Sequence, residues 1–157
     1  MENLDKVIIH AARLGEIAVL HELVKRNANV NAKDEKGYTP LIIACYNNQY
    51  EATLLLLNAN ADVNAQDFGG NTALMGAAFK GYANIAGLLI EYGADLNKQH
   101  GNGGTALMFA SMFGRNELVK LLLSHGADKT LVDVRGLSAI ELAAQQGNEE
   151  AIGLLHD

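Results

Sequence analysis

Residues 67–99 read DFGGNTALMGAAFKGYANIAGLLIEYGADLNKQ, and the pattern returns every 33 residues without a gap. The block before it, 34–66, is DEKGYTPLIIACYNNQYEATLLLLNANADVNAQ, and the block after it, 100–132, is HGNGGTALMFASMFGRNELVKLLLSHGADKTLV. Residues 1–33 follow the same frame from Ala11-Ala12 to Val30-Asn31, and residues 133–157 follow it as far as they run. The chain thus divides into five units, 1–33, 34–66, 67–99, 100–132 and 133–157, with the outer two expected to cap a single domain over 1–157. A fixed period of this length marks small units that cannot bury an apolar face alone and gain a core only by stacking.

Each recurring residue has a local task. Thr39, Thr72, Thr105 and Ser138 stand where a hydroxyl can accept from the free amides of a helix start. Pro40 follows at the first helical position, where a missing N–H costs nothing. Gly37, Gly70, Gly103 and Gly136, two residues earlier, sit where a tight turn needs positive φ. Asn27, Asn60, Gly93 and Gly126 close the second helix in the left-handed conformation these two residue types tolerate best. Leu41, Ala44 and Cys45, with Leu74, Ala77 and Ala78, share one face at i, i+3, i+4 spacing. Leu55–Leu57, Leu88–Ile90 and Leu121–Leu123 give bulk to the second helix. The unit reads turn, helix, turn, helix, with helices of about 8 to 10 residues, too short to persist alone. Glu2, Lys6, Glu149, Glu150 and Asp157 suit solvent-facing ends of the stack.

Composition removes several function classes. The 157 residues, 49% of them apolar, suffice for one continuous core. A net charge of -6 opposes the basic footprint of nucleic-acid binding. The first twenty residues hold Glu2, Asp5 and Glu16 and only short apolar runs, Val7–Ile9 and Ile17–Leu20, so neither a signal peptide nor a membrane anchor is read there. A lone cysteine, Cys45, forms no internal disulfide, which fits a reducing compartment; the expected location is the cytoplasm.

GYTPLIIACYNN and GADLNKQ, on a strict 33-residue period across the whole chain, resemble ankyrin repeats. The resemblance implies an all-α fold: an ankyrin-repeat solenoid of stacked helix-turn-helix units with hairpin-like finger loops, non-catalytic and binding other proteins. One departure is systematic. Where the family motif Thr-Pro-Leu-His has histidine, this chain has Ile9, Ile42, Met75, Met108 and Glu141. The family's histidines tie neighbouring units by hydrogen bonds, so apolar packing is expected to replace that network at most joints.

At about 100° per residue, the position after the second alanine points roughly opposite to the Leu/Ala/Ala face, away from the core. It is filled by Arg13, Tyr46, Phe79, Met112 and Gln145, and the next position by Leu14, Asn47, Lys80, Phe113 and Gln146. The resemblance implies that these positions line the concave side. Tyr46, Phe79 and Met112 would then form a ladder on the order of 20 Å long, since packed helices lie about 8 to 10 Å apart. Hairpin residues Tyr38, Phe68, Asn71, Val134 and Leu137 lie nearby. The partner-binding candidates are Arg13, Leu14, Tyr38, Tyr46, Asn47, Phe68, Asn71, Phe79, Lys80, Met112, Phe113 and Leu137. Two readings stay open from sequence: an exposed interaction stripe, or side chains packed against the next unit. The first predicts that Phe79→Ala costs less than about 0.5 kcal/mol of stability.

Catalytic chemistry finds no footing. The three serines each have a place in the repeat, as cap (Ser138), as small helix residue (Ser111) and on the outer helix (Ser124). His10, His21, His100, His125 and His156 form no H-x-x-x-H pair, and one cysteine supplies no zinc site, so no metal or other cofactor is expected. GNGG at 101–104 has the glycines of a phosphate loop but lacks the GK[ST] ending. Cys45 fills an alanine position as a small buried thiol. Asp34, Asp67 and Asp133 open their units, and Asp62, Asp95 and Asp128 close the outer turn, a repeated pattern unlike an acid–base pair. The expected function is a monomeric adaptor or scaffold binding one protein partner through the concave face and finger loops. The alternative is a stoichiometric inhibitor or antidote covering a partner's active site. Net negative charge would favour a basic partner.

Overall fold

A computed structural model describes residues 3–156, so Glu2 and Asp157, expected at the stack's ends, lie outside the described residues. Ten helices are present among the described residues. The first of each pair are α1 (Asn3–Leu14), α3 (Pro40–Tyr46), α5 (Ala73–Lys80), α7 (Ala106–Met112) and α9 (Ala139–Gln145). The second are α2 (Ile17–Lys25), α4 (Tyr50–Asn58), α6 (Ala83–Glu91), α8 (Asn116–Ser124) and α10 (Glu149–Leu155). Odd helices pack on odd and even on even, giving two layers. The odd layer is the closer packed, because its facing positions are small: Ala12, Ala44, Cys45, Ala77, Ala78, Ala110, Ser111 and Ala143 are all buried. The even layer meets through leucines, with Leu20, Leu56, Leu89 and Leu122 fully buried.

Local chemistry explains where the helices start and stop. Thr39, Thr72 and Thr105 accept from the N–H groups of Ile42, Met75 and Met108 at 3.1 to 3.2 Å. Ser138 is likewise the N-cap of its helix, in a capping box with Glu141. Its N–H and its hydroxyl both donate to the Glu141 carboxylate, at 2.9 and 3.0 Å, so the acid in the histidine position caps the last inner helix from within. Each complete outer helix ends in a residue with positive φ: Asn27 at 59°, Asn60 at 69°, Gly93 at 92° and Gly126 at 89°. The amides of these residues and the next return to carbonyls in the last turn, as in Ala28 N–H to Leu23 O and Ala61 N–H to Leu56 O, both at 3.0 Å.

The joints hold more polar structure than sequence suggested. Met75 and Met108 are buried as expected, Ile9 nearly so and Ile42 in part. Alongside them runs a ladder of amides: Asn31, Asn64 and Asn97 each accept, through Oδ1, from the backbone N–H of Asp62, Asp95 and Asp128 in the following unit at 2.7 to 2.8 Å. A second ladder crosses the finger bases, where Gln66 and Gln99 donate to their own finger's carbonyl and to that of the next unit. Side-chain amides thus supply the ties expected of apolar packing alone. The finger tips join too, through Phe68 N–H to Lys36 O, Gly101 N–H to Gly69 O and Val134 N–H to Asn102 O.

Candidate partner-binding groove

The inner face is built by the last turns of the odd helices and by the fingers in front of them. Phe79 sits at its centre, half-buried. Its ring lies parallel to Tyr46, 6.4 Å between centroids and 5° between planes, and meets Phe113 edge-on at 4.7 Å and 83°. The outer rings of this row are open, with Tyr46 44% and Phe113 45% exposed. The Lys80 ammonium lies over the Tyr46 ring, 4.7 Å from its centroid.

Two sequence expectations need correction. The rung in the fourth unit is Phe113, not Met112. Helix α7 ends at Met112, so Phe113 leaves the helical path as its C-cap and its ring reaches Phe79, while Met112 packs against the core. Phe79 is also not free: its ring packs between Tyr46 and Phe113 and is only partly exposed, although it does not sink into the core.

A groove of about 470 Å³ runs beside the row. It gathers Arg13, Tyr38, Tyr46, Asn47, Asn71 and Phe79 from the candidates, and adds Ile42, Ile43, Asp67, Met75, Gly76 and Phe109. Gly76 opens it. The equivalent positions hold His10, Ile43, Phe109 and Leu142, and a Cβ on Gly76 would stand 3.4 Å from Tyr46 Cδ1. Phe109 closes the next joint, so a smaller groove of about 270 Å³, with Met112 in its wall, follows beyond it. Gly76 was the missed signal: a glycine inside a helix, at a position the other units fill with His10, Ile43, Phe109 and Leu142.

The remaining candidates lie outside the main groove. Phe68 projects from its finger, 71% exposed, with the Lys33 ammonium 5.7 Å from its ring centre. Leu14 is exposed at the first unit's edge, and Leu137, like Tyr38, rests partly on the core. The polar candidates have internal duties: Asn47 Nδ2 donates to Ile43 O at 2.8 Å, and Asn71 Nδ2 reaches both oxygens of Asp67 at 3.2 and 3.3 Å.

The finger carboxylates are turn-builders. Asp34, Asp67 and Asp133 each accept two backbone N–H bonds from their own finger at 2.8 to 3.0 Å. The Leu137 amide is the main cause holding Asp133 below the ordinary carboxylate range, as the Ser138 amide does for Glu141. In the finger of the fourth unit His100 takes the aspartate's place: Nδ1 accepts from the Gly104 N–H at 2.8 Å, which makes Nε2 the protonated nitrogen of the neutral ring. The imidazole occupies the space a side chain at 104 would need, since a Cβ on Gly104 would come within 2.8 Å of its Cε1. The GNGG run therefore answers to a finger turn and a histidine, and Gly103 has φ 84° as the turn requires.

Cys45 is fully buried, and burial pushes its thiol up to about 12 against a weaker opposing effect of the Thr53 hydroxyl 3.6 Å away. Such a thiol carries no nucleophilic thiolate near neutral pH. Among the described residues no three His, Cys, Asp or Glu side chains stand together as a metal site, and no helix is long and apolar enough to cross a membrane.

The family model "Ankyrin repeats (3 copies)" matches residues 8–100 and 74–157. Over 56 residues the chain is 41% identical to "Ankyrin repeat domain-containing protein 49" of Drosophila melanogaster, covering 35% of this chain and 26% of that protein. Over 49 residues it is 39% identical to "Ankyrin repeat and SOCS box protein 3" of Homo sapiens, covering 31% of this chain and 10% of that protein. The matches thus span about a quarter and a tenth of these relatives. Helix pairs, finger turns and the match across most of the sequence agree: the chain belongs to the ankyrin repeat family.

Proposed function

We propose that this chain is an adaptor or scaffold that holds a protein partner against its inner face, between the ring row of Tyr46, Phe79 and Phe113 and the finger loops. Repeats of this family generally act as protein–protein interaction modules. One observation carries the specific reading: three rings form a contiguous row, Tyr46 stacked on Phe79 and Phe113 edge-on to it, beside an open groove, although apolar surface free to pack elsewhere would be expected to join the core. Burying such a ring on binding contributes roughly 1.5 to 3 kcal/mol, the scale of an interface hot spot.

An adaptor needs a second contact face. The even layer offers one in a groove of about 370 Å³ between α2 and α4, walled by Ile17, Val24, Leu54 and Leu55, which favours the adaptor over an inhibitor. The proposed setting is the cytoplasm, with the chain a monomer in one domain over 1–157 capped by its outer units. The test is affinity capture of partners on wild type and on a Tyr46→Ala/Phe79→Ala/Phe113→Ala variant whose folding is checked by circular dichroism. The reading expects one protein held by wild type and lost by the folded variant. Retention of every captured protein by that variant would overturn it. Adding the chain to the purified partner at one-to-one ratio then leaves the partner's activity intact for an adaptor and abolishes it for an inhibitor.

A further inference from the structure

The whole-chain charge is a poor guide to the groove. Helices α3, α5 and α7, which form the floor, contain no carboxylate at all. Six glutamates lie on the other layer, at Glu22, Glu51, Glu91, Glu117, Glu149 and Glu150; on the inner side Glu141 of α9 is engaged by Ser138, and Glu35 is an exposed finger residue. Three cations border the ring row instead. Arg13 lines the groove, Lys80 lies over Tyr46, and Arg115 Nε donates to the Phe79 backbone carbonyl at 3.0 Å, which anchors its guanidinium at the end of α5, next to Gly81. None of the three forms an ion pair among the described residues, whereas Arg26, Lys120 and Arg135 each do.

The one carboxylate in the groove wall does not offset them. Asp67 Oδ1 already accepts from the amides of Gly69 and Asn71, and the Asn71 side chain bridges to both its oxygens. Its negative charge is directed into its own finger turn. Because salt screens charges beyond about 8 to 10 Å, the groove's field is set by its rim and not by the distant outer glutamates.

We infer that the segment gripped by the groove is acidic, with one large apolar or aromatic side chain seated in the notch at Gly76 and its carboxylates facing Arg13, Lys80 and Arg115. This rests on the proposal that the ring row is the binding surface, and it reverses the basic partner that net charge alone suggested. Charge at this rim sets association rate and selectivity, while the rings supply the hold.

The probe is a displayed library of random linear peptides panned against the full chain. The recovered peptides are expected to carry more Asp and Glu than Lys and Arg, together with a Leu, Phe, Tyr or Trp. Their affinity is expected to fall about tenfold at low salt on Arg13→Gln/Lys80→Gln/Arg115→Gln, with the gap narrowing as salt rises. Should that variant fail to fold, Arg13→Gln/Lys80→Gln leaves the Arg115–Phe79 bond in place and is read the same way. Peptides that are neutral or basic, or that ignore the charge change, yet are lost on Tyr46→Ala/Phe79→Ala, would overturn the acidic segment and keep the ring row. Peptides indifferent to the ring variant, or no recovery above a bare surface, would overturn both.

Discussion

Ala78 and Phe79 are neighbours in α5 and belong to opposite surfaces. Ala78 is fully buried in the seam where inner helices meet, and the same position holds Ala12, Cys45 and Ser111, all fully buried too. One residue on, Phe79 is turned away from the seam and stacks along the row, and its equivalents are as different as Arg13, Tyr46, Met112 and Gln145. Repeat spacing constrains the seam, because a larger side chain there would push two helices apart. It leaves the row free, so the row is where one repeat protein can differ from another in what it holds.

The contrast breaks first in the seam's apolar partners. Leu89→Ala, at a fully buried position of the outer layer, is expected to cost about 2 to 5 kcal/mol in urea unfolding. Alkali tests the inner seam. The Cys45 thiol ionises in the folded chain only near 12, against an ordinary 9.0. Its contribution is therefore whole below about pH 9 and is lost as pH climbs toward 12, at about 1.4 kcal/mol per pH unit. Cys45→Ala, which installs the residue found at Ala12 and Ala78, is expected to remove that part of the alkaline decline; the readout is the stability difference between the two chains across this range.

What was legible in the sequence was whatever depends on a residue and its near neighbours. The threonine caps, the finger glycines and the positive φ of Asn27 and Asn60 follow from local backbone geometry, and the structure bears them out. The amide ladder was visible only as letters. Asn31, Asn64 and Asn97 recur in register, but their role needs the backbone of the next unit 31 residues away. Ser138 holds the expected cap position, but its partnership with the Glu141 carboxylate, which accepts its N–H, was not read from the sequence. At the groove, the direction of the Phe79 position was readable from helical periodicity. The exchange of Met112 for Phe113 was not, since it turns on α7 stopping at Met112 whereas α5 continues through Lys80.

The row sharpens the contrast with smaller effects. Phe79→Ala removes two ring contacts and half-buried surface, so the expected cost is about 1 to 2 kcal/mol by urea unfolding, above the figure an open site would give and below that of a core phenylalanine. Gly76→Ala acts in the opposite direction. It puts a better helix former inside α5, and its Cβ meets Tyr46 only at 3.4 Å, so the thermal midpoint is expected to rise by the equivalent of about 0.5 to 1 kcal/mol while the groove narrows.

The division between seam and row is tested most directly by a soluble paramagnetic agent added to the isotope-labelled chain and followed by NMR. Ring signals of Tyr46, Phe79 and Phe113 are expected to broaden in proportion to the agent, while methyl signals of Leu56, Leu89 and Leu122 stay sharp. A Phe79 ring as protected as the Leu89 methyls would place it in the interior and contradict the account.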